Sequence, residues 1–101
     1  MIGTIVTLRY PDGADRTALL GVAEASKGMF EGMPGLHSKV YTLDAENGEA
    51  VNVYVWDSEE AARGFFTDEV RAMITDAYGV PPDIRHVEVA ALIENAPATV
   101  A

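Results

Sequence analysis

Residues 51 to 56 alternate between small β-branched side chains and larger side chains with polar tips. Successive side chains of a β-strand point to opposite faces of a sheet, so this period of two predicts a strand with two different faces. One face carries Val51, Val53 and Val55, and the other carries Asn52, Tyr54 and Trp56. An apolar face of small valines is typical of sheet-on-sheet packing, whereas rings with polar tips favour a pocket under helices.

The first half of the chain predicts a strand, a helix and a hairpin. β-Branched residues predict a strand over 2–10, which ends at a Pro-Asp-Gly turn signal. A helix follows, capped by Asp15 and ending near Gly28. A strand over 36–46 then precedes Asn47-Gly48, a two-residue hairpin signal, and the strand containing residues 51–56 returns.

The second half predicts a helix in two parts and a last strand. Asp57 or Ser58 caps the helix, and Thr67 marks a restart. Gly79 ends the helix before two prolines, and residues 83–95 predict a strand. The order β-α-β-β-α-β predicts an α+β, ferredoxin-like domain over residues 1–95 with a four-stranded antiparallel sheet, followed by a tail at 96–101.

The predicted hairpin register separates two sets of side chains. If Asn47 and Gly48 are the turn residues, Val40 pairs with Val55 and Tyr41 with Tyr54. The ring-bearing face then also carries His37, Lys39, Tyr41 and Leu43. The helices cover that face, and the valine face is left bare unless a second copy buries it. We therefore predict a homodimer through the face of Val51, Val53 and Val55.

Composition excludes several classes of partner. The net charge is −9 and the seven Lys and Arg residues are scattered, which argues against a nucleic-acid surface. The absence of cysteine excludes disulfides and thiolate chemistry, and the two histidines lack metal-site spacing, so no metal and no cofactor are expected. The N-terminus lacks signal-peptide features and no apolar run reaches membrane length. We therefore predict a cytoplasmic protein that does not bind membranes.

Two segments, MPGLHSKVYTLDAENGEAVNVYVWDSEEAARGFF and YGVPPDIRHVEV, resemble the YdhR-like monooxygenase family of the dimeric α/β-barrel superfamily. The resemblance rests on a Pro-Gly-Leu-x-x-Lys motif, a strand ending in Tyr-x-Trp and a following helix of alanines and aromatics, and it covers most of residues 2–94. It implies a ferredoxin-like domain that dimerises through its sheets and has a cavity between sheet and helices. Related antibiotic-biosynthesis monooxygenases oxidise phenolic or quinol-like compounds with O₂ and without flavin, haem or metal.

The resemblance also suggests site residues. Those enzymes use an Asn and, four residues later, a Trp on one strand, and Asn52 and Trp56 match in type and spacing. His37 is a candidate proton acceptor, because histidine is the side chain that ordinarily exchanges a proton near neutral pH, and it completes the catalytic set. The helical Tyr of those enzymes has no counterpart, because only Phe65 and Phe66 stand in that region. The expected substrate-binding residues are Tyr41, Tyr54, Phe65, Phe66 and Arg85.

Other interpretations of these residues are also consistent with the sequence. Trp56 and the two phenylalanines are as consistent with a core as with a site, and Lys39 with a surface ion pair. The cavity also suits an isomerase, a cyclase or a dimeric binding or stress-type protein without catalysis. A haem-degrading function is less favoured, because both histidines are predicted on strands and not on the second helix.

Overall fold

The computed structural model describes residues 1–95, and the predicted tail at 96–101 lies outside them. The elements, in chain order, are β1 (Ile2–Arg9), α1 (Arg16–Phe30), β2 (Leu36–Asp44), β3 (Glu49–Trp56), α2 (Glu59–Phe65), α3 (Asp68–Tyr78) and β4 (Asp83–Glu88). The strands form one antiparallel sheet in the order β2-β3-β1-β4. The ferredoxin-like α+β architecture is confirmed.

Capping side chains set the helix boundaries. The Asp15 carboxylate accepts the backbone N–H of Thr17 at the start of α1, and the Ser58 hydroxyl accepts that of Ala61 in α2. The predicted restart is confirmed, because α2 ends at Phe65 and Thr67 caps α3. Helix α3 ends at Gly79, whose φ of 78° is the left-handed conformation that glycine adopts without steric cost.

The sheet has two unlike faces. The helices pack on the covered face, which we define by the buried side chains Thr4, Val6, Leu8, Ala50, Asn52, Tyr54 and Trp56. The opposite face, which we call the open face, carries the side chains that alternate with these along the strands, namely Ile5, Val40, Val51, Val53, Val55 and Val87. Val40 is 54% exposed and Val53 37% exposed, so this chain alone leaves apolar surface on the open face.

The hairpin between β2 and β3 is wider than predicted. Residues 45–48 form a four-residue turn, so Asp44 pairs with Glu49 and Val40 with Val53. The Asp44 carboxylate accepts the backbone N–H of Asn47 at 3.2 Å and its side-chain amide at 2.7 Å, which holds the longer turn. The register differs from the predicted one by two residues, and an even shift leaves the side chains of β2 on their predicted faces.

A β-bulge changes the position of His37. Leu36 pairs with Trp56 and Ser38 pairs with Val55, so His37 is an extra residue in β2. Leu36 packs against the core in its place, and His37 is exposed. The prediction that His37 shares the face of Asn52 and Trp56 is therefore wrong.

The last strand is shorter than predicted. β4 ends at Glu88, which pairs with Ile2, the first residue of β1. Beyond it, one further hydrogen bond joins the backbone N–H of Val89 to the carbonyl of Met1, and residues 89–95 form no strand. The predicted extension of the strand to residue 95 is therefore wrong. Within residues 1–95, no helix combines the length and apolar character needed to cross a membrane.

Candidate active site

A cavity of about 140 Å³ lies between the covered face and helices α1 and α3. Its wall is mostly apolar and aromatic, with contributions from Val22, Met29, Phe30, Phe65, Val70, Met73, Ile74 and Ala77. Polar atoms reach it from Ser26, Lys39, Tyr41, Asn52, Tyr54 and Tyr78. Few polar groups in an apolar concavity are typical of a small-molecule site, so we take this cavity as the candidate active site.

Asn52 supplies a buried amide to the cavity wall. It lies in the middle of β3 on the covered face and is 4% exposed. Within residues 1–95 its only side-chain hydrogen bond runs from Nδ2 to the Tyr78 hydroxyl, at 3.4 Å. This distance is beyond the usual range for N–H···O bonds, so the bond is weak. The amide is therefore free to bond a ligand in the cavity.

Tyr41 and Tyr54 present hydroxyl-bearing rings to the same space. The Tyr41 hydroxyl and the Ser26 hydroxyl are 2.7 Å apart and share a hydrogen bond. Burial raises the pKa of both tyrosines, most strongly for Tyr54. Both phenols are therefore protonated near neutral pH and are available as hydrogen-bond donors.

Lys39 places its amine among three rings. Its Nζ lies 3.4 Å from the ring centroid of Phe30, 4.1 Å from that of Tyr41 and 4.5 Å from that of Tyr54. Burial lowers the pKa of Lys39 to about 7. Within residues 1–95 no carboxylate oxygen lies within 4.0 Å of it. The ion pair considered from the sequence is therefore not formed in the described part of the chain.

Trp56 and Phe66 lie in the core beside the cavity. The Trp56 ring stacks on Tyr54 with centroids 5.8 Å apart and an interplanar angle of 6°, and it is 1% exposed. Phe66 packs edge-on against Tyr54 and is also buried. Neither residue belongs to the wall of the cavity, whereas Phe65 does. Within residues 1–95 the indole N–H of Trp56 has no hydrogen-bond partner.

His37 and Arg85 lie outside the cavity. The Nε2 atom of His37 is 2.6 Å from a carboxylate oxygen of Glu94, and His37 lines an open outer groove with Lys27 and Glu31. Arg85 pairs with Ile5 and is on the open face, so it does not reach the helix side of the sheet. The sequence placed Arg85 wrongly because the register of β4 could not be read from a last strand of uncertain length.

Several cavity residues were not selected from the sequence. Phe30 and Tyr78, the last residues of α1 and α3, read as ordinary helix ends. Their cavity positions depend on how far each helix extends over the sheet.

His86 lies on the covered face, where its Nδ1 is 2.9 Å from the Thr4 hydroxyl oxygen, and burial lowers its pKa. His86 pairs with Thr4 of β1, and this pairing places it on the covered face.

Both histidines lie on strands, as predicted, and residues 1–95 contain no group of three or more His, Cys, Asp and Glu side chains placed to hold a metal ion. No protein-family model matches the chain, and no curated protein matches it in sequence.

Solved structures do match the fold. The monooxygenase ActVA-Orf6 of Streptomyces coelicolor, in complex with nanaomycin D, has a TM-score of 0.66 and 21% identity, covering 94% of this chain and 92% of that one. A variant of SnoaB, a cofactor-independent oxygenase from Streptomyces nogalater, has a TM-score of 0.68 and 10% identity, covering 93% and 97%. A variant of MhuD with manganese protoporphyrin IX bound has a TM-score of 0.70 and 18% identity, covering 94% and 100%. The chain thus has the ferredoxin-like fold of antibiotic-biosynthesis-monooxygenase structures.

Proposed function

We propose that the protein oxidises a small phenolic or quinol-like aromatic compound with O₂ and without an added cofactor. The cavity carries this proposal, because the amide of Asn52 and the phenols of Tyr41, Tyr54 and Tyr78 line a mostly apolar space. The fold shared with ActVA-Orf6 and SnoaB supports an oxygenase reaction. We also propose, as the sequence led us to expect, that the protein is a YdhR-like monooxygenase and that it is cytoplasmic.

The reaction needs little from the protein beyond binding and deprotonation. An electron-rich phenol reacts with O₂ once it has lost its proton, and hydrogen-bond donors in a dry cavity stabilise the anion. The ring loses two hydrogen atoms and gains one oxygen atom, while the second oxygen atom leaves as water. The substrate thus supplies all the electrons. In this scheme Asn52 and the tyrosine hydroxyls are the donors.

The volume of the cavity limits the substrate. Apolar cavities of about 150 Å³ bind a benzene molecule. The cavity here, at about 140 Å³, therefore matches a compound with one aromatic ring, and naphthols in the panel below test whether a second ring is accepted. Oxygen uptake by the purified protein with a panel of dihydroxybenzenes and naphthols, in metal-free buffer, tests the proposal. Uptake above the spontaneous rate is expected for at least one of them, and rates equal to the protein-free control throughout the panel would reject an oxidase or oxygenase function.

The second candidate is a protein that binds the same compounds without oxidising them, or an isomerase or cyclase with the same cavity. One observation favours it. The related monooxygenases have a tyrosine on the helix after this strand, whereas here Phe65, which has no hydroxyl to donate a hydrogen bond, lines the cavity. Tight binding of a naphthol with no oxygen uptake would select this candidate.

We also propose that two copies associate through their open faces. Valine side chains at 40 and 53 remain exposed in the single chain, and leaving such surface in water costs about 25 cal/mol per Å². The flat, small side chains suit packing of one sheet on another.

We expect Val53→Asp to convert the dimer to a folded monomer, because an unpaired carboxylate is not tolerated in a buried interface but is hydrated at a site that is 37% exposed in the single chain. Light scattering at micromolar concentration measures the mass. Leu20→Asp, at a 40% exposed position on α1, is the control and leaves the dimer intact. A monomeric unmodified protein would contradict the dimer.

A further inference from the structure

Among residues 1–95, Lys39 is the one cationic side chain in the wall of the cavity. It separates two spaces, because it lines both the inner cavity and the open outer groove, together with Phe30 and Tyr41. Its amine faces ring carbons and not a carboxylate in the described residues. Lys39 is half-buried, and an amine without a carboxylate partner in the wall of a mostly apolar cavity is a favourable partner for an anionic ligand.

Other titratable side chains share the two spaces that Lys39 lines, but none of them is a cause of the shift in the pKa of Lys39. The titratable side chains that share its two spaces are Lys27 and Glu31 at the end of α1, His37 and Tyr41 of β2, Tyr54 of β3 and Tyr78 of α3. Desolvation is the cause that lowers the pKa of Lys39, to about 7. Ring faces attract a cation and act in the opposite direction. Near neutral pH a substantial fraction of the amine is therefore uncharged and has a free lone pair.

We propose that Lys39 is the proton acceptor of the cavity, and that the cavity takes an acidic, planar phenol as its phenolate. The phenol O–H bond breaks, an N–H bond forms on Nζ, and an ammonium–phenolate pair results. No electrons are exchanged and no further reactant is needed. The inference rests on the proposed function for the class of ligand, but it assigns deprotonation to Lys39 and not to His37.

The position of His37 supports this assignment. His37 lies in the bulge of β2, where its ring bonds Glu94 outside the cavity. Lys39 is two residues further along the strand and its amine lies over the rings of Phe30, Tyr41 and Tyr54. A flat ligand that fills the cavity is therefore within reach of the Lys39 amine. The polar groups of Asn52 and Tyr78 remain for a second oxygen of the ligand.

The proton balance predicts a characteristic pH dependence. The complex holds one shared proton, whereas free ammonium and free phenol together hold two at low pH, and free amine and free phenolate hold none at high pH. Affinity therefore falls on both sides of a maximum near pH 7 for a phenol that itself ionises near pH 7. A lysine with the ordinary pKa of about 10.4 would instead keep its full affinity for phenolate up to about pH 10.

The test uses 4-nitrophenol, whose neutral and ionised forms have different absorption bands, with the full chain under anaerobic conditions. Below the pKa of the free dye, we expect the protein to induce the phenolate band and Lys39→Met to abolish it. We expect Lys39→Met to weaken phenolate binding about tenfold or more, the loss typical of a charged hydrogen bond. Lys27→Met, which removes an exposed amine from α1, is the matched control. We expect it to leave the induced phenolate band and the affinity for phenolate unchanged.

Lys39→Arg separates proton acceptance from charge. Its guanidinium stays protonated, so we expect it to bind preformed phenolate with no loss of affinity between pH 7 and pH 9, in contrast to the unmodified protein. Circular dichroism establishes that each variant is folded. A neutral-phenol spectrum for the unmodified protein, or equal losses in Lys39→Met and Lys27→Met, would overturn the proposal. The oxygen-uptake panel is a separate, aerobic assay, so the two proposals fail independently. A phenolate band with no uptake anywhere in that panel retains this proposal and rejects the oxygenase, and uptake in that panel with a neutral-phenol spectrum here does the reverse.

Discussion

Trp56→Ala lowers the free energy of unfolding by about 3 to 5 kcal/mol, the usual cost of removing a large buried aromatic side chain. The expected loss is this large because Trp56 is 1% exposed and contacts the rings of Tyr54, Phe65 and Phe66. Native domains are stable by about 5 to 15 kcal/mol, so the variant is close to unfolding at room temperature. Urea denaturation followed by circular dichroism measures the change.

Trp56→Phe is the matched control. It keeps a ring on Tyr54 and removes an indole N–H that has no partner within residues 1–95, so we expect a loss of only about 1 kcal/mol. We also expect it to retain turnover, because Trp56 does not line the cavity. A stable Trp56→Phe variant without turnover would instead support the catalytic role considered from the sequence. A cost below about 1 kcal/mol for Trp56→Ala would contradict the core role.

Asn52→Ala has the largest expected effect on activity, a fall in kcat of about 10²-fold, the typical loss when one stabilising donor is removed. The amide lies in the cavity wall, and its bond to the Tyr78 hydroxyl, at 3.4 Å, is weak enough to give way to a ligand. Steady-state oxygen uptake with the best substrate of the panel measures kcat.

Tyr78→Phe tests whether Asn52 acts directly. It removes the hydroxyl that the amide contacts and keeps the ring, so we expect a smaller fall in kcat than in Asn52→Ala. Equal losses in both variants would show that the Tyr78 hydroxyl matters as much as the amide, and would contradict a leading role for Asn52. An Asn52→Ala variant with unchanged kcat would remove this residue from the proposed site.

The sequence predicted the covered and open faces of β3 correctly, because side-chain alternation depends only on local strand geometry. Pairing between strands was harder to predict. The hydrogen bonds between Asp44 and Asn47 widened the turn, and the bulge at His37 removed one residue from the regular alternation. Neither feature has a strong signal in the chain itself.

The cavity residues show the same division. Asn52 and Tyr54 followed from alternation along one strand, whereas Phe30 and Tyr78 depend on where α1 and α3 cross the sheet, which no local pattern fixes. The sequence placed Lys39 on the correct face. It did not show that the amine lies against the ring of Phe30, which belongs to α1. Contacts of this kind between distant segments become visible only in the folded chain.

The central claim is that the protein inserts oxygen from O₂ into a phenolic ring that supplies its own electrons. Its most direct test is turnover under ¹⁸O₂ in metal-free and flavin-free buffer, with the product analysed by mass spectrometry. We predict one heavy oxygen atom in the quinone product and the other in water, at a rate that Asn52→Ala reduces. A product whose new oxygen derives from water, or a rate equal to that without protein, would contradict the account.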